Sequence, residues 1–146
     1  MATYNAVDYA ANEVTLPMKM SDAHSKGGRM RVLHDTYTQS GTGAVSSVIN
    51  FGRLPAGSRV WEATVSTSAS LHGSGTAVLA CGAITLIAAG TYNTTRCRVL
   101  EQGSATAASA APIALSAGGL VTVTGNSSLA QVADTVITVT IKYTID

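Results

Sequence analysis

Residues Thr135 to Ile145 read TVITVTIKYTI, and their alternation settles the fold class. Ile137, Val139, Ile141, Tyr143 and Ile145 fall on one side of an extended chain, and Thr138, Thr140, Lys142 and Thr144 on the other. A period of two with β-branched residues on both faces is the signature of a half-buried strand, because successive side chains point to opposite faces of a sheet. One face is expected in a core and the other in contact with water.

The same punctuation recurs along the chain. Short β-type runs separated by Gly, Ser, Asn or Pro clusters predict strands over 29–38, 44–51, 58–68, 76–81, 83–88, 96–100, 120–124 and 135–145. Eight short strands predict an all-β fold, a two-sheet antiparallel sandwich of jelly-roll-like form. In INFGRLPAGSRVWEATV, Ile49 to Val65, the Leu54-Pro55-Ala56-Gly57 turn is expected to close a hairpin, with Pro55 presetting the turn and Gly57 relieving it. Alternation places Trp61, Ala63 and Val65 together on the core side, which makes the only tryptophan a core anchor. The predicted core comprises Trp61, Val65, Ile137, Val139, Ile141 and Tyr143.

Two segments lack this pattern. Residues 1–28 show neither a strand nor a helix period, and Pro17 interrupts any regular element, so they are expected as an extended N-terminal arm before a sandwich domain at 29–146. Its apolar side chains either tuck against their own domain or lie on another chain. Residues 103–119, GSATAASAAPIALSAGG, are rich in alanine but carry Pro112 and Ser/Gly flanks, which predict a loop with at most one helical turn.

Composition narrows the function classes. At 146 residues the chain is expected to fold as one domain with a sizeable core. Charged residues make up 12% and the formal net charge is +1, so there is no basic field for nucleic acid. The apolar run Ala77 to Ala89 is too short for a helical membrane span, which needs about 20 residues, and Gly82 within it predicts two buried strands meeting at a bend. No membrane partner is expected. The N-terminus has no basic start followed by an apolar run, so synthesis in the cytoplasm without a secretory signal is expected.

Chemistry-bearing patterns are absent. There is no G-x-S-x-G elbow, GSGT at Gly73 to Thr76 lacks the lysine of a phosphate loop, and neither cysteine has a partner at ligand spacing. No catalytic residue, metal or cofactor is assigned, and the chain is expected not to be an enzyme. Cys81 and Cys97 are expected as reduced, buried thiols, although spacing alone does not show whether they meet. His34 and Asp35 are neighbours in a strand, so they should face opposite ways and form at most a surface or edge pair. Arg29 and Arg31 share a face; a solvated strand edge is the simpler reading of so small a cluster, and gripping a phosphate or carboxylate on a partner is the other.

Three stretches together carry a resemblance: GGRMRVLHDTYTQSG (27–41), INFGRLPAGSRVWEATV (49–65) and DTVITVTIKYTI (134–145). They resemble the small jelly-roll decoration, or cement, proteins of tailed-bacteriophage capsids. The middle stretch GTAVLACGAITLIAAG is more apolar than that family would suggest. The resemblance implies a structural virion protein bound to the outer capsid surface, with the major capsid protein and further copies of itself as partners, a homotrimer favoured over a dimer. The residues expected to make those contacts are Tyr4, Val7, Tyr9, Leu16 and Met18 in the arm, with Arg29 and Arg31 beside it. A carbohydrate-binding jelly roll is the alternative, disfavoured because aromatics are only 5% of the chain; another virion part, of the tail or neck, is a third reading.

Overall fold

The computed structural model describes residues 3–5, 30–40, 47–68, 76–91, 97–100, 112–125 and 134–145. Ten strands lie within them: β1 (Thr3–Asn5), β2 (Arg31–Thr38), β3 (Val48–Leu54), β4 (Ser58–Thr67), β5 (Thr76–Cys81), β6 (Ile84–Thr91), β7 (Cys97–Leu100), β8 (Ile113–Leu115), β9 (Gly119–Gly125) and β10 (Val136–Ile145). They form two sheets, β1-β3-β9-β5-β6 and β2-β10-β4-β7, with β8 added alongside β4. All pairings are antiparallel except β1 with β3.

Setting aside the three-residue strands β1 and β8, the other eight pair as nested hairpins: β2 with β10, β3 with β9, β4 with β7 and β5 with β6. The chain is one long antiparallel ribbon whose tip is the Gly82-Ala83 turn. Rolling that ribbon brings β10 against β4 and β9 against β5. This is the jelly-roll strand order, as expected from the sequence. The tip turn joins Cys81 to its cross-strand partner Ile84 through two residues, with Gly82 at φ 56. A glycine at the first central position is what a type II′ hairpin turn requires.

The core lies between the inner faces. Ile49 and Phe51 from β3, Leu79 from β5, Leu86 and Ile87 from β6 and Val121 and Val123 from β9 meet Tyr37 from β2, Val60, Ala63 and Val65 from β4, Leu115 from β8 and Ile137, Val139 and Ile141 from β10. The alternation of β10 is borne out through Ile141. Beyond it Tyr143 is only half-buried at the rim of the core.

The Leu54–Gly57 turn does not close a hairpin. β3 and β4 lie in different sheets, so the turn is a corner that carries the chain across the sandwich. Pro55 occupies its first position: its carbonyl accepts from the Ser58 amide at 3.3 Å and from the Ser58 hydroxyl at 2.7 Å. Gly57 has φ 77, the left-handed value that suits glycine at the third position of a type II turn.

The strands on both sides of this corner slip register by one residue. On β4, Lys142 pairs with Glu62 but the next residue, Tyr143, pairs with Val60, so Trp61 is the extra residue of a β-bulge. The bulge resets the alternation. Val60 joins Ala63 and Val65 in the core, and Trp61 turns half-buried to the outer side. The core anchor near the corner is therefore Phe51, fully buried, and not Trp61. β3 slips between Asn50 and Arg53, which brings Leu54 inward and leaves Arg53 exposed.

β8 corrects the expectation of a loop over its residues. Ile113, Ala114 and Leu115 pair with Val60, Arg59 and Ser58, and only Leu115 is fully buried. The Gly118-Gly119 pair then carries the chain from one sheet to the other between two turns. A Cβ on Gly118 would lie 2.8 Å from the Leu54 carbonyl and the Ala56 amide, and one on Gly119 would lie 2.8 Å from the Gly82 amide. Gly52 differs, because a Cβ there meets at 2.8 Å only the end of the Leu33 side chain.

This packing sets the expected cost of substitution. Gly118→Ala and Gly119→Ala should each cost about 1–3 kcal/mol, the usual range for forced overpacking, because backbone must move, whereas Gly52→Ala should cost less because a leucine can change rotamer. Ile141→Ala should cost about 2–5 kcal/mol as a core truncation. Denaturant titration of the purified variants measures both; equal costs for Gly52→Ala and Gly119→Ala would contradict the close approach of the two turns.

Candidate functional site

The outer face of the β2-β10-β4 layer holds the most varied chemistry among the described residues. Cross-strand register sets it out in rows: Val32, Lys142 and Glu62; His34, Thr140 and Thr64; Thr36, Thr138 and Ser66. Lys142 Nζ lies 2.7 Å from Glu62 Oε2. Both side chains are substantially exposed, so the pair contributes little to stability, about 0–1 kcal/mol, and serves more to set the charge pattern of the face. His34 Nδ1 lies 2.9 Å from Thr140 Oγ1.

One end of this face carries its exposed apolar side chains. Met30 and Val32 are 58% and 57% exposed. Trp61 stands on the same face, across β10 from them: its Nε1 donates to Thr144 Oγ1 at 3.1 Å, and Thr144 is paired with Arg59. A half-buried tryptophan near an arginine combines two of the residue types most enriched at protein contacts. The outer face of the other sheet is plainer. Its rows Val48, Thr124 and Val78, and Asn50, Thr122 and Ala80, hold no ionisable group.

No catalytic constellation forms around the titratable groups among the described residues. His34 is exposed on the outer face and Asp35 is 3% exposed on the inner one, so the two do face opposite ways. The expectation of a surface pair is corrected for Asp35, whose Oδ1 accepts from the Thr36 amide at 2.8 Å inside the sandwich. Among the described residues no group of three His, Cys, Asp or Glu side chains could hold a metal ion.

The contact residues expected from the sequence are dispersed. Tyr4 belongs to β1, is half-buried and packs on its own core, its ring centroid 5.6 Å from that of Tyr37. Arg31 is half-buried at the start of β2, opposite Tyr143, and has interaction partners of its own. Val7, Tyr9, Leu16, Met18 and Arg29 lie outside the described residues. Sequence reasoning missed the outward placement of Met30, Val32 and Trp61. The exposure of Met30 and Val32 depends on which strand lies at the sheet edge, and that of Trp61 on the bulge.

Cys81 is a free, buried thiol whose Sγ donates to the Gly119 carbonyl at 3.4 Å. Burial pushes this thiol up from its ordinary value, with a smaller opposing pull from the Leu54 backbone. The side chain of Cys97 lies outside the described residues.

Two solved phage structures share the fold. The chain superimposes with a TM-score of 0.73 on a chain of the capsid of Ralstonia phage GP4, at 18% identity over 99% of both chains. It superimposes with a TM-score of 0.59 on a chain of the cyanophage Pam1 capsid asymmetric unit, at 18% identity over 94% of this chain and 99% of that one. No protein-family model and no curated protein sequence matches. At this identity the likeness establishes the architecture, and function has to be argued from the surface.

Burial also sets an alkaline limit. Cys81 is raised from 9.0 by burial, and Tyr37 is raised from 10.0 by burial first and by Tyr4 second. Both groups hold their protons more tightly when folded, so the stability they confer is complete below the unfolded values and lost as pH rises. Unfolding free energy should therefore decline above about pH 9, first through Cys81 and then through Tyr37. Cys81→Ala should remove the first part of that decline, as measured by urea midpoints across the neutral to alkaline range.

Proposed function

We propose that this chain is a structural protein of a phage virion that binds the outside of the capsid and stabilises it, a decoration or cement protein. The observation that carries this reading is the match over 99% of both chains to a component of a phage capsid. Coverage that complete in both directions means that the neighbour is a chain of about this length with the same jelly roll from end to end. It is not a larger protein with a sandwich inserted.

The surface is consistent with this role. One outer face is neutral among its described rows, and the other exposes Met30 and Val32 at the β2 edge and half-buries Trp61 on β4, with Lys142 and Thr144 of β10 between them. A shell presents the same docking position many times, so individually weak contacts of this size add up through multivalency. The partner is the major capsid protein, and the arm at residues 1–28, through Val7, Tyr9, Leu16 and Met18, with Arg29 beside it, supplies a second contact. Tyr4 is engaged at home instead. Copies associate with one another as a closed oligomer, a trimer by preference. No step in this role is catalytic.

Heads assembled without this protein provide the test. Purified chain added to them should cosediment at saturable occupancy and raise the temperature at which packaged DNA escapes. Trp61→Ala should weaken binding by roughly thirty-fold, the effect of a contact residue worth about 2 kcal/mol, while circular dichroism shows the sandwich intact. Deleting residues 2–20 should lower occupancy separately. A chain that folds but never cosediments with heads would overturn the proposal.

A further inference from the structure

The edge of β3 carries a strand that is separable from the rest of the fold. β1 contributes three residues, paired in parallel as Thr3 with Val48, Tyr4 with Ile49 and Asn5 with Asn50. It is held by this short ladder, by the Tyr4 ring tilted 45° against Tyr37, and by a hydrogen bond of 3.1 Å from Asn50 Nδ2 to Asn5 Oδ1. It is the only parallel strand among the described pairings, and it stands outside the nested ribbon that defines the sandwich. The eight-strand fold is complete without it, so its release is a local opening with no need for global unfolding.

We infer that β1 is an exchangeable clasp: Thr3–Asn5 of one copy seats on the β3 edge and Tyr37 of a neighbouring copy. The acceptor site is defined by the ladder, ring and amide interactions just given, and its occupant is the one segment of the chain seen to fit it. Residues 6–30 separate β1 from β2, and such a length of chain spans at most roughly 80–90 Å. That exceeds the distance to an adjacent domain, since a compact domain of this size has a radius of gyration of about 15 Å. In isolation the covalent connection favours a chain's own β1. Copies held side by side on a shell remove that advantage, because the neighbour's β3 edge is then equally near and offers the same ladder and the same tyrosine. Exchange of an identical element is the low-cost route by which such a neighbour becomes linked. For copies on a shell the inference rests on the capsid reading, and for concentrated free protein it does not.

The test uses full-length chain carrying Thr3→Cys and Val48→Cys, cross-strand partners that leave the Tyr4 ring and the Asn5–Asn50 hydrogen bond in place, with Cys81→Ala and Cys97→Ala, mixed from heavy-isotope and light preparations. A short bis-maleimide then joins positions 3 and 48, and mass spectrometry of the linked peptides reports whether one chain or two supplied them. Heads decorated with the mixture, and free protein at millimolar concentration, are both probed. Heavy–light linkages are expected in both, below the proportion of random mixing because each chain's own β1 still competes for the site. Linkages within single chains only, or none between these positions, would overturn the inference. If heads do not bind while concentrated protein exchanges, the capsid reading falls and the clasp stands; if heads bind and every linkage is within one chain, the reverse holds. Should the cysteine background fail to fold, isotope-filtered NMR on a half-labelled sample of the unmodified chain decides the same question. A cross-peak between Tyr4 of one copy and Tyr37 of another supports exchange, and its absence at millimolar concentration refutes it.

Discussion

Gly118 and Gly119 pass closely between two turns, where a side chain would meet backbone on both sides. At this point the chain leaves β8 in one sheet and enters β9 in the other, with the Leu54–Gly57 corner on one side and the Gly82 tip on the other. The Gly57 amide donates to Leu115 O and the Gly82 amide to Leu120 O, both at 2.9 Å. These bonds tie the inter-sheet corner and the ribbon tip to the same short stretch. Side chains here would push the turns apart and strain the entry of β9 between β3 and β5, where Val121 and Val123 are fully buried.

From that close passage the two bulges acquire a purpose. A chain that turns from one sheet into the other must keep its apolar residues inward on both sides of the corner, and a one-residue slip exchanges the two faces. One extra residue in β3 and one in β4 bracket the corner: between them Leu54, Ser58 and Val60 point inward and Arg53 and Trp61 outward, and beyond them the inward set returns to Ile49 and Phe51 on one side and Ala63 and Val65 on the other. The same adjustment that completes the core also turns an indole to the outer face. Packing and surface chemistry therefore meet at Trp61. Its placement is a consequence of closing the sandwich, and the resulting surface is what a partner would find.

The described part of the molecule divides its surface by chemistry. Its interior takes in aliphatics with one phenylalanine, one tyrosine, Cys81 and a few polar side chains such as Asp35 and Gln39, and its outer faces mix threonine and serine with valine and a few ionisable groups. Long-range attraction is weak for a net charge of +1. Such a surface suits a protein acting through many repeated contacts, since each contact need only be specific when neighbours share the load.

Much of the sandwich was legible in the sequence. Alternation in TVITVTIKYTI marked β10 and its inner face as far as Ile141, the bend at Gly82 separated β5 from β6, and eight runs between turn residues correspond to the eight principal strands. These features are local: side-chain direction has a period of two, and turn geometry is written in single glycines. The pairing partners were not local. Nothing in INFGRL, Ile49 to Leu54, says that β3 joins one sheet and β4 the other, because a two-sheet corner and a hairpin use the same turn residues. Ile113 to Leu115 becomes a strand only because β4 offers it an edge, and alanine-rich flanks hide that. Trp61 could face either way until pairing with Lys142 and Tyr143 introduced the bulge. The eight principal strands, and the apolar face of each away from the bulges, follow from residues two apart and are therefore properties of the chain alone. The sheet each strand joins, the places where register slips, and hence the side chains left outside for a partner to meet, arise from pairing between residues far apart in the chain, and they exist only once the sandwich has closed.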